Sequence, residues 1–183
     1  YKGGPPVGGA TGSELVLAGL STAHEGLYLL RATNAKGWTD SLTAEVLVMR
    51  PPSQVGLAKL PIGDVEAGGA ATFTCSSDGV PAPTIFAWFQ RPVESAPFAL
   101  LAGENSSTFT VGSAGALHTG AYTCRAVNSA GNLTSTGQEL RLAPCVAGAS
   151  RSGSGSCEAC EPGGFSALRG DDVCSPCPVG TFK

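Results

Sequence analysis

The first 74 residues of this 183-residue chain contain no cysteine, and the whole chain has only 11 basic residues and two histidines. The basic residues are scattered and the net charge is −3, which argues against a nucleic-acid-binding surface. No nucleophile or acid–base partner is spaced to work with His24 or His118. We therefore expect no enzyme activity, no cofactor and no bound metal.

Long apolar runs are also missing, and no charged segment followed by an apolar segment stands at the start of the chain. We therefore expect neither a membrane span nor a signal peptide within these residues. Any segment that exports or anchors the protein is expected outside them. Apolar residues at helical spacing are absent as well, which argues against long helices.

Glycine and proline are abundant instead, with 26 and 13 residues. Both residues disfavour helix interiors and mark turns. Between them lie short runs in which apolar and polar side chains alternate, as Phe109 and Val111 do with Thr108 and Thr110. Such alternation gives a strand one apolar and one polar face, so the sequence predicts an all-β fold class.

The chain matches itself without gaps at a shift of 94 residues. A repeat of this length is a whole domain rather than one turn of a solenoid. We call residues 1–50 the first unit and residues 55–144 the second unit. One series is Leu15, Leu17, Leu20, His24, Gly26, Tyr28, Leu30, Arg31, Ala32, Asn34 and Gly37, and the other is Phe109, Val111, Ala114, His118, Gly120, Tyr122, Cys124, Arg125, Ala126, Asn128 and Gly131.

Four hallmarks coincide in the second unit. Cys75 and Cys124 lie 49 residues apart, Trp88 stands between them, and Tyr122 precedes the second cysteine by two residues. This pattern resembles the immunoglobulin fold of the intermediate (I-set) type. The resemblance implies a β-sandwich in which a Cys75–Cys124 disulfide joins the sheets, Trp88 packs on it, and the Tyr122 hydroxyl bonds to the backbone.

The first unit resembles only the C-terminal part of such a domain. Tyr28 keeps the structural tyrosine position, but Leu30 replaces the second cysteine, so no inter-sheet disulfide is expected there. His24 and His118 stand where the family usually has Asp, which puts the corner salt bridge in doubt. We interpret residues 1–50 as the C-terminal part of a truncated immunoglobulin-like domain, 51–54 as a stiff linker beginning at Pro51, and 55–144 as a complete domain.

The tail, residues 145–183, holds five of the seven cysteines. The run from Cys160 to Phe165 and the run from Cys177 to Phe182 share the pattern Cys-x-x-Gly-x-Phe. The pattern is similar to the cysteine-rich repeats of ephrin-receptor-like and tumour-necrosis-factor-receptor-like ectodomains, and implies a small disulfide-rich repeat region, truncated at its C-terminus. That resemblance implies the pairs Cys145–Cys157 and Cys160–Cys174, with Cys177 unpaired within this chain.

The cysteine spacing alone leaves other pairings open and also permits a zinc site. Cys157, Cys160, Cys174 and Cys177 form two Cys-x-x-Cys motifs, and their separation is near that of a zinc ribbon. Zinc in this tail would favour an intracellular protein.

Three short motifs point to modification or recognition. Asn105-Ser106-Ser107 and Asn132-Leu133-Thr134 are N-glycosylation sequons, and both are expected in turns. Arg169-Gly170-Asp171 is the integrin-type tripeptide, placed between two cysteines.

These features together predict a non-enzymatic extracellular recognition or adhesion module from a larger cell-surface or secreted protein. Its partner would be a protein ligand or a second copy, with no nucleic acid, and with a membrane only through segments outside this chain. Two alternatives remain: an ectodomain segment of a receptor kinase or other signalling receptor, and an intracellular structural I-set array with a zinc-binding tail.

The first unit is expected not to be stable by itself, because a few strands leave an uncovered apolar face and open edges. Limited proteolysis of the chain should therefore cleave within residues 1–50 before it cleaves within 55–144. Protection of residues 1–50 equal to that of the second unit would contradict this expectation.

Overall fold

The structure, a computed structural model, describes residues 1–166 and 173–178. It confirms the all-β prediction, since its only helical segments are the short 3₁₀ turns Thr22–His24 and Ala116–His118 within that range. No helix among the described residues is long and apolar enough to cross a membrane. The strands in chain order are β1 Gly26–Tyr28, β2 Arg31–Asn34, β3 Gly37–Asp40, β4 Ala44–Val46, β5 Val55–Leu60, β6 Ala71–Ser77, β7 Ile85–Arg91, β8 Ala99–Leu100, β9 Thr108–Val111, β10 Gly120–Asn128, β11 Gly131–Thr134, β12 Gln138–Leu140, β13 Ala149–Arg151, β14 Cys157–Ala159, β15 Gly164–Phe165 and β16 Ser175–Pro176.

The second unit is a sandwich of two antiparallel sheets. One sheet has the order β5-β6-β9. The other has the order β11-β10-β7-β8, with β12 paired to β10 on the same side as β11. After β5 the chain crosses to this second sheet, where Val65 pairs in parallel with Leu142. Two backbone hydrogen bonds of 2.8 Å hold that crossing, from Val65 to Arg141 and from Ala143 to Val65.

The core between the sheets is built from alternate residues of the strands. Phe73, Trp88 and Tyr122 are almost fully buried, and their rings pack together, with 4.5 Å between the Phe73 and Tyr122 centroids. The buried Trp88 donates its indole N–H to the Ser106 carbonyl at 2.8 Å. The Cys75–Cys124 disulfide crosses the same layer and joins the two sheets. This is the immunoglobulin-like sandwich that the cysteine, tryptophan and tyrosine spacing predicts.

The first unit reproduces the hydrogen bonds of the second unit at the same 94-residue offset. Tyr28 donates its hydroxyl to the His24 carbonyl at 2.8 Å, and Tyr122 donates to the His118 carbonyl at 2.7 Å. The Leu30 amide bonds to the Ser41 hydroxyl at 2.9 Å, as the Cys124 amide does to the Ser135 hydroxyl at 3.1 Å.

Residues at the start of the chain take the place of strand β7 in the first unit. Lys2 pairs with Tyr28, as Gln90 pairs with Tyr122. The Tyr1 ring lies 4.7 Å from the Arg31 guanidinium carbon, and Phe89 lies 4.9 Å from that of Arg125. Tyr1 and Lys2 thus correspond to Phe89 and Gln90.

Among the described residues, no second sheet covers the inner face of the first unit as β5, β6 and β9 cover that of the second, and only the irregular segment 6–15 lies beside Tyr28 and Leu30. Leu30 is therefore 48% exposed, whereas its counterpart Cys124 is fully buried. Apolar side chains left exposed in this way are unfavourable in water, which is consistent with the expectation that residues 1–50 do not fold alone.

Within its described residues the tail forms two small antiparallel strand pairs, β13 with β14 and β15 with β16. It contacts the second unit through Arg151, whose guanidinium donates to the Ala143 carbonyl at 2.6 Å and to the Gly155 carbonyl at 2.7 Å. A Cβ atom on Gly155 would lie 2.7 Å from the Ala116 amide nitrogen, so the tail approaches the second unit too closely there for any side chain.

Replacing Tyr122 with Phe should keep the ring packing but remove the hydroxyl bond to His118. We expect the free energy of unfolding to fall by about 1 kcal/mol and the melting temperature by roughly 5 °C. Thermal and urea denaturation measure both. Tyr28→Phe is the matched control, because it removes the same bond from the first unit. A Tyr122→Phe variant as stable as the parent chain would show that this bond does not support the sandwich.

Candidate functional site

In the structure, disulfide bonds join the same cysteine pairs that the sequence analysis gives, and Cys177 is a free thiol. Three of the four cysteines of the alternative zinc site are therefore bonded to other sulfur atoms. Within residues 1–166 and 173–178, no group of three or more His, Cys, Asp or Glu side chains could hold a metal ion. The disulfides are Cys75–Cys124 at 2.03 Å, Cys145–Cys157 at 2.01 Å and Cys160–Cys174 at 2.10 Å.

The segment that joins the two units, residues 50–54, is bonded to the loops at one end of the second unit. We call it the elbow. Its Arg50 exchanges two backbone hydrogen bonds with Val80, at 2.7 and 3.0 Å. Asn128 donates its side-chain amide to the Arg50 carbonyl at 2.7 Å and to the Pro81 carbonyl at 2.9 Å.

Asp78 holds the other end of the elbow. Its carboxylate accepts a hydrogen bond from the Ser53 hydroxyl. It also accepts hydrogen bonds from the backbone amides of Ser53 and Gln54, at 2.7 and 2.8 Å. The hydroxyl bond and these amide bonds keep the pKa of Asp78 below its usual value. The carboxylate therefore remains ionised at neutral pH and fixes the chain just before β5.

The side chain of Arg50 bonds to the first unit while its backbone bonds to the second. Its guanidinium donates to the Glu25 carboxylate at 3.0 Å, and the Val48 amide donates to the same oxygen at 3.2 Å. Arg50 therefore connects the two units, with its side chain bonded to Glu25 of the first and its backbone bonded to Val80 of the second. Hydrogen bonds thus join the elbow to both units, and the elbow lies at the loop end of the second unit beside Val80 and Asn128.

The outer sheet face of the first unit is exposed as well, and it carries a compact group of aromatic and charged side chains. On the outer face of β2 and β3, the Arg31 guanidinium lies between two aromatic rings, 3.8 Å from the Trp38 centroid and 4.7 Å from the Tyr1 centroid. Two hydrogen bonds of 2.6 and 2.8 Å join Arg31 to Asp40. We call these four residues, Tyr1, Arg31, Trp38 and Asp40, the aromatic ladder.

The ladder is held in shape by charge as well as by stacking. The hydrogen bonds from Arg31 keep the pKa of Asp40 below its usual value, and Asp40 raises the pKa of Arg31. Trp38 nevertheless stays 63% exposed. The stacked arginine thus holds a large aromatic side chain in place at the surface.

The same face of the second unit is built differently. Arg125 again lies over an aromatic ring, that of Phe89, but Asn132 stands where the first unit has Trp38. Thr134 stands at the position of Asp40, and its hydroxyl accepts a hydrogen bond of 3.3 Å from Arg125 Nε. The two units thus share the arginine and differ at the exposed position beside it.

Asn132 lies inside β11, so the expectation that this sequon falls in a turn is wrong. The pairing of β10 with β11 continues to Asn128 and Gly131, and this leaves only two residues for the turn itself. Asn132 is exposed on the strand, and Asn105 is exposed in the loop between β8 and β9, just before a bend. Arg169, Gly170 and Asp171 lie outside the described residues.

Comparison with known proteins supports the fold of the second unit. Residues 51–128 match the immunoglobulin domain family. The chain is 35% identical to hemicentin-2 of Mus musculus over 125 residues. This match covers 67% of this chain and 2% of hemicentin-2. It is 33% identical over 124 residues to vascular endothelial growth factor receptor 1 of Mus musculus, covering 66% of this chain and 9% of the receptor.

Two further similarities are weaker. Vascular cell adhesion protein 1 of Canis lupus familiaris is 30% identical over 100 residues, which is 55% of this chain and 13% of that protein. The solved structure of the N-terminal four immunoglobulin domains of Dscam1 isoform 6.9 gives a TM-score of 0.46 at 22% identity, over 67% of this chain and 28% of that one. The chain thus spans only a small part of its relatives.

Replacing Asn128 with Ala should loosen the elbow, because both of its side-chain bonds to carbonyl oxygens are lost. We expect the Arg50 and Val80 amides to exchange with solvent about tenfold faster. Hydrogen exchange followed by NMR measures this. Asn34→Ala is the matched control. Asn34 accepts the amide of Lys36 at 2.8 Å, as Asn128 accepts that of Ala130 at 2.9 Å, but Asn34 makes no elbow bonds. Equal exchange in the two variants would contradict this role of Asn128.

Proposed function

Starting from the immunoglobulin-like domain that this chain contains, we propose that the chain is a non-enzymatic recognition module of a larger extracellular protein. Its partner is a protein, either a different protein or a second copy of this chain. The exposed Trp38 of the aromatic ladder is the observation that carries the proposal. Tryptophan and arginine are the residues on which binding energy concentrates at protein interfaces.

The extracellular part of the proposal rests on the cysteines and on the relatives. Disulfides persist outside the cell and are reduced in the cytosol, and this chain has three of them. Two of the relatives are by name a receptor and an adhesion protein. We further propose that the second unit is of the I-set type and that the tail consists of ephrin-receptor-like repeats, with Cys177 paired outside this chain.

In this proposal, glycosylation makes the outer sheet faces of the two units different. A glycan on Asn132 would cover the outer sheet face of the second unit at the position that corresponds to Trp38. The first unit, which carries the tryptophan instead, keeps that face open for a partner. Arg169, Gly170 and Asp171 are a further candidate contact for an integrin-type receptor.

A second candidate function is that of a signalling receptor, for which this chain would be a segment of the ectodomain. The similarity to vascular endothelial growth factor receptor 1 favours it. The two candidates share the recognition step and differ only in segments outside this chain.

The recognition proposal predicts that the secreted chain binds through the aromatic ladder. The chain, displayed as a fluorescent tetramer, should bind to some members of a panel of adherent cell lines, or beads coated with it should aggregate. Trp38→Ser should weaken that binding about tenfold or more, because it removes the central contact.

Ile62→Ser is the matched control for this experiment, since Ile62 is an apolar residue that is 88% exposed but lies away from the ladder. It should leave binding unchanged. Trp38→Ser binding as well as the parent chain would reject the ladder as the contact surface. Absence of both cell binding and bead aggregation would reject the recognition function.

A further inference from the structure

A cleft of about 580 Å³ lies at one end of the larger sheet of the second unit, where this sheet meets the tail. Its walls are the end of β7 and the start of β10, the end of β12, and the tail at Pro144 and Arg151. A backbone hydrogen bond of 3.3 Å from the Ala116 amide to the Ser154 carbonyl joins the second unit and the tail beside it. The cleft is therefore shaped by the second unit and the tail together.

The strand register places Arg91 on the outer face of this sheet, at the wall of the cleft. Trp88 points into the core, so Arg91, three residues further along the same strand, points to the opposite face. Arg91 and Glu139 both pair with Ala121, from its two neighbouring strands, and paired residues lie on the same face of a sheet. Ala121 also lines the cleft, so its small side chain leaves room between two long ones.

The positive charge of Arg91 has no partner among the described residues. Its Nε atom is shut off from solvent and makes no hydrogen bond there. None of the three ion pairs of the described residues includes Arg91, and its guanidinium carbon lies 4.9 Å from the Phe98 ring. A buried polar atom without a partner is unfavourable. An anion that pairs with this guanidinium would therefore meet a charge that no described carboxylate neutralises.

Arg125, on the same face of the same sheet, shows what is specific to Arg91. Its guanidinium carbon also lies 4.9 Å from an aromatic ring, that of Phe89, but its Nε donates a hydrogen bond of 3.3 Å to the Thr134 hydroxyl. Arg125 does not line the cleft. Stacking on an aromatic ring is thus common to the two arginines, whereas the unbonded Nε belongs to the one beside the cleft.

The other charged residues of the cleft limit the kind of anion that fits. They are Glu94, Glu139, Arg141 and Arg151. Glu139 and Arg141 neutralise each other across 2.5 Å, and Arg151 donates to two backbone carbonyl groups. With Arg91 included, the arginines exceed the glutamates by one positive charge. This small surplus favours a ligand with one carboxylate over a polyanion, which the two glutamates would repel.

We propose that this cleft binds an acidic segment of a protein partner, with one Asp or Glu carboxylate of that segment paired to Arg91. A guanidinium and a carboxylate match in charge and in the geometry of their hydrogen bonds. Pro92 and Val93 line the cleft beside Arg91 and offer apolar contact to neighbouring side chains of the segment. The proposal rests on the recognition function only in taking a protein as the partner, since the aromatic ladder lies on the first unit.

Titration of the complete 183-residue chain with short peptides, followed by NMR of the arginine Nε–H groups, tests the site directly. The probes are acetyl-Gly-Asp-Gly-amide and its uncharged counterpart acetyl-Gly-Asn-Gly-amide. The Asp peptide should shift the Arg91 signal in a saturable manner and bind about tenfold more tightly, because the Asn peptide lacks the charge-assisted hydrogen bonds. The Arg125 signal should stay in place. Absence of a saturable shift at Arg91, or an equal shift at Arg125, would overturn the proposal.

Three variants, each followed through the backbone amide signal of Ala121, assign the effect to the cleft. Arg91→Gln should weaken binding of the Asp peptide about tenfold, and Arg125→Gln, the matched control, should leave it unchanged. Glu94→Gln should strengthen binding about threefold, because it removes a negative charge from the cleft, and a misfolded chain would not show such a gain. Unchanged binding in both Arg91→Gln and Glu94→Gln would reject the site.

Two further measurements separate this proposal from its alternatives. Trp38→Ser should bind the Asp peptide as the parent chain does, so failure of the aromatic ladder and failure of the cleft are distinguishable. A heparin-derived disaccharide is the third probe, and it should bind more weakly than the Asp peptide. Tighter binding of the disaccharide would overturn the acidic peptide as the ligand and assign the cleft to a sulfated glycan.

Discussion

The Cys75–Cys124 disulfide, with the aromatic rings packed around it, is the constraint on which the rest of the structure depends. It joins the two sheets at the centre of the second unit, where Phe73, Trp88 and Tyr122 are buried against it. Closing a loop of 49 residues in the unfolded chain contributes about 4 kcal/mol to stability in the chain-entropy model. For a sandwich of this size, that is a large share of the net stability.

The surrounding contacts are fixed by reference to this core. The Tyr122 hydroxyl bonds to His118, and the turn that His118 closes supports the tail. At the opposite end, the β10–β11 hairpin places Asn128 against the elbow. The second unit thus holds the segment before it and the segment after it, while the first unit lacks both the disulfide and the strands that would cover its inner face. The aromatic ladder of the first unit is connected to the second unit through the elbow.

The sequence predicted the features that depend on side-chain identity at fixed spacing. The alternation and the positions of Cys75, Trp88 and Tyr122 were sufficient to predict the all-β sandwich, because these residue types at this spacing are typical of that fold. The elbow could not be predicted, since the Arg50–Val80 pairing is made by backbone atoms and the side-chain bonds of Asn128 and Asp78 join residues far apart in the sequence. Asn132 was misplaced because turn composition does not show how far the pairing of two strands extends toward the turn. The correspondence of Tyr1 with Phe89 required the register against Tyr28, which only the structure supplies.

The claim that this chain is a disulfide-bonded extracellular module is tested most directly by the state of its seven cysteines. The chain would be produced through a secretory host and its intact mass measured without reduction, before and after alkylation, with zinc determined in the same sample. We expect three disulfides, one alkylated thiol at Cys177, and no stoichiometric zinc. Stoichiometric zinc with Cys157, Cys160, Cys174 and Cys177 all reduced would contradict the claim and would make the tail a zinc module of an intracellular protein.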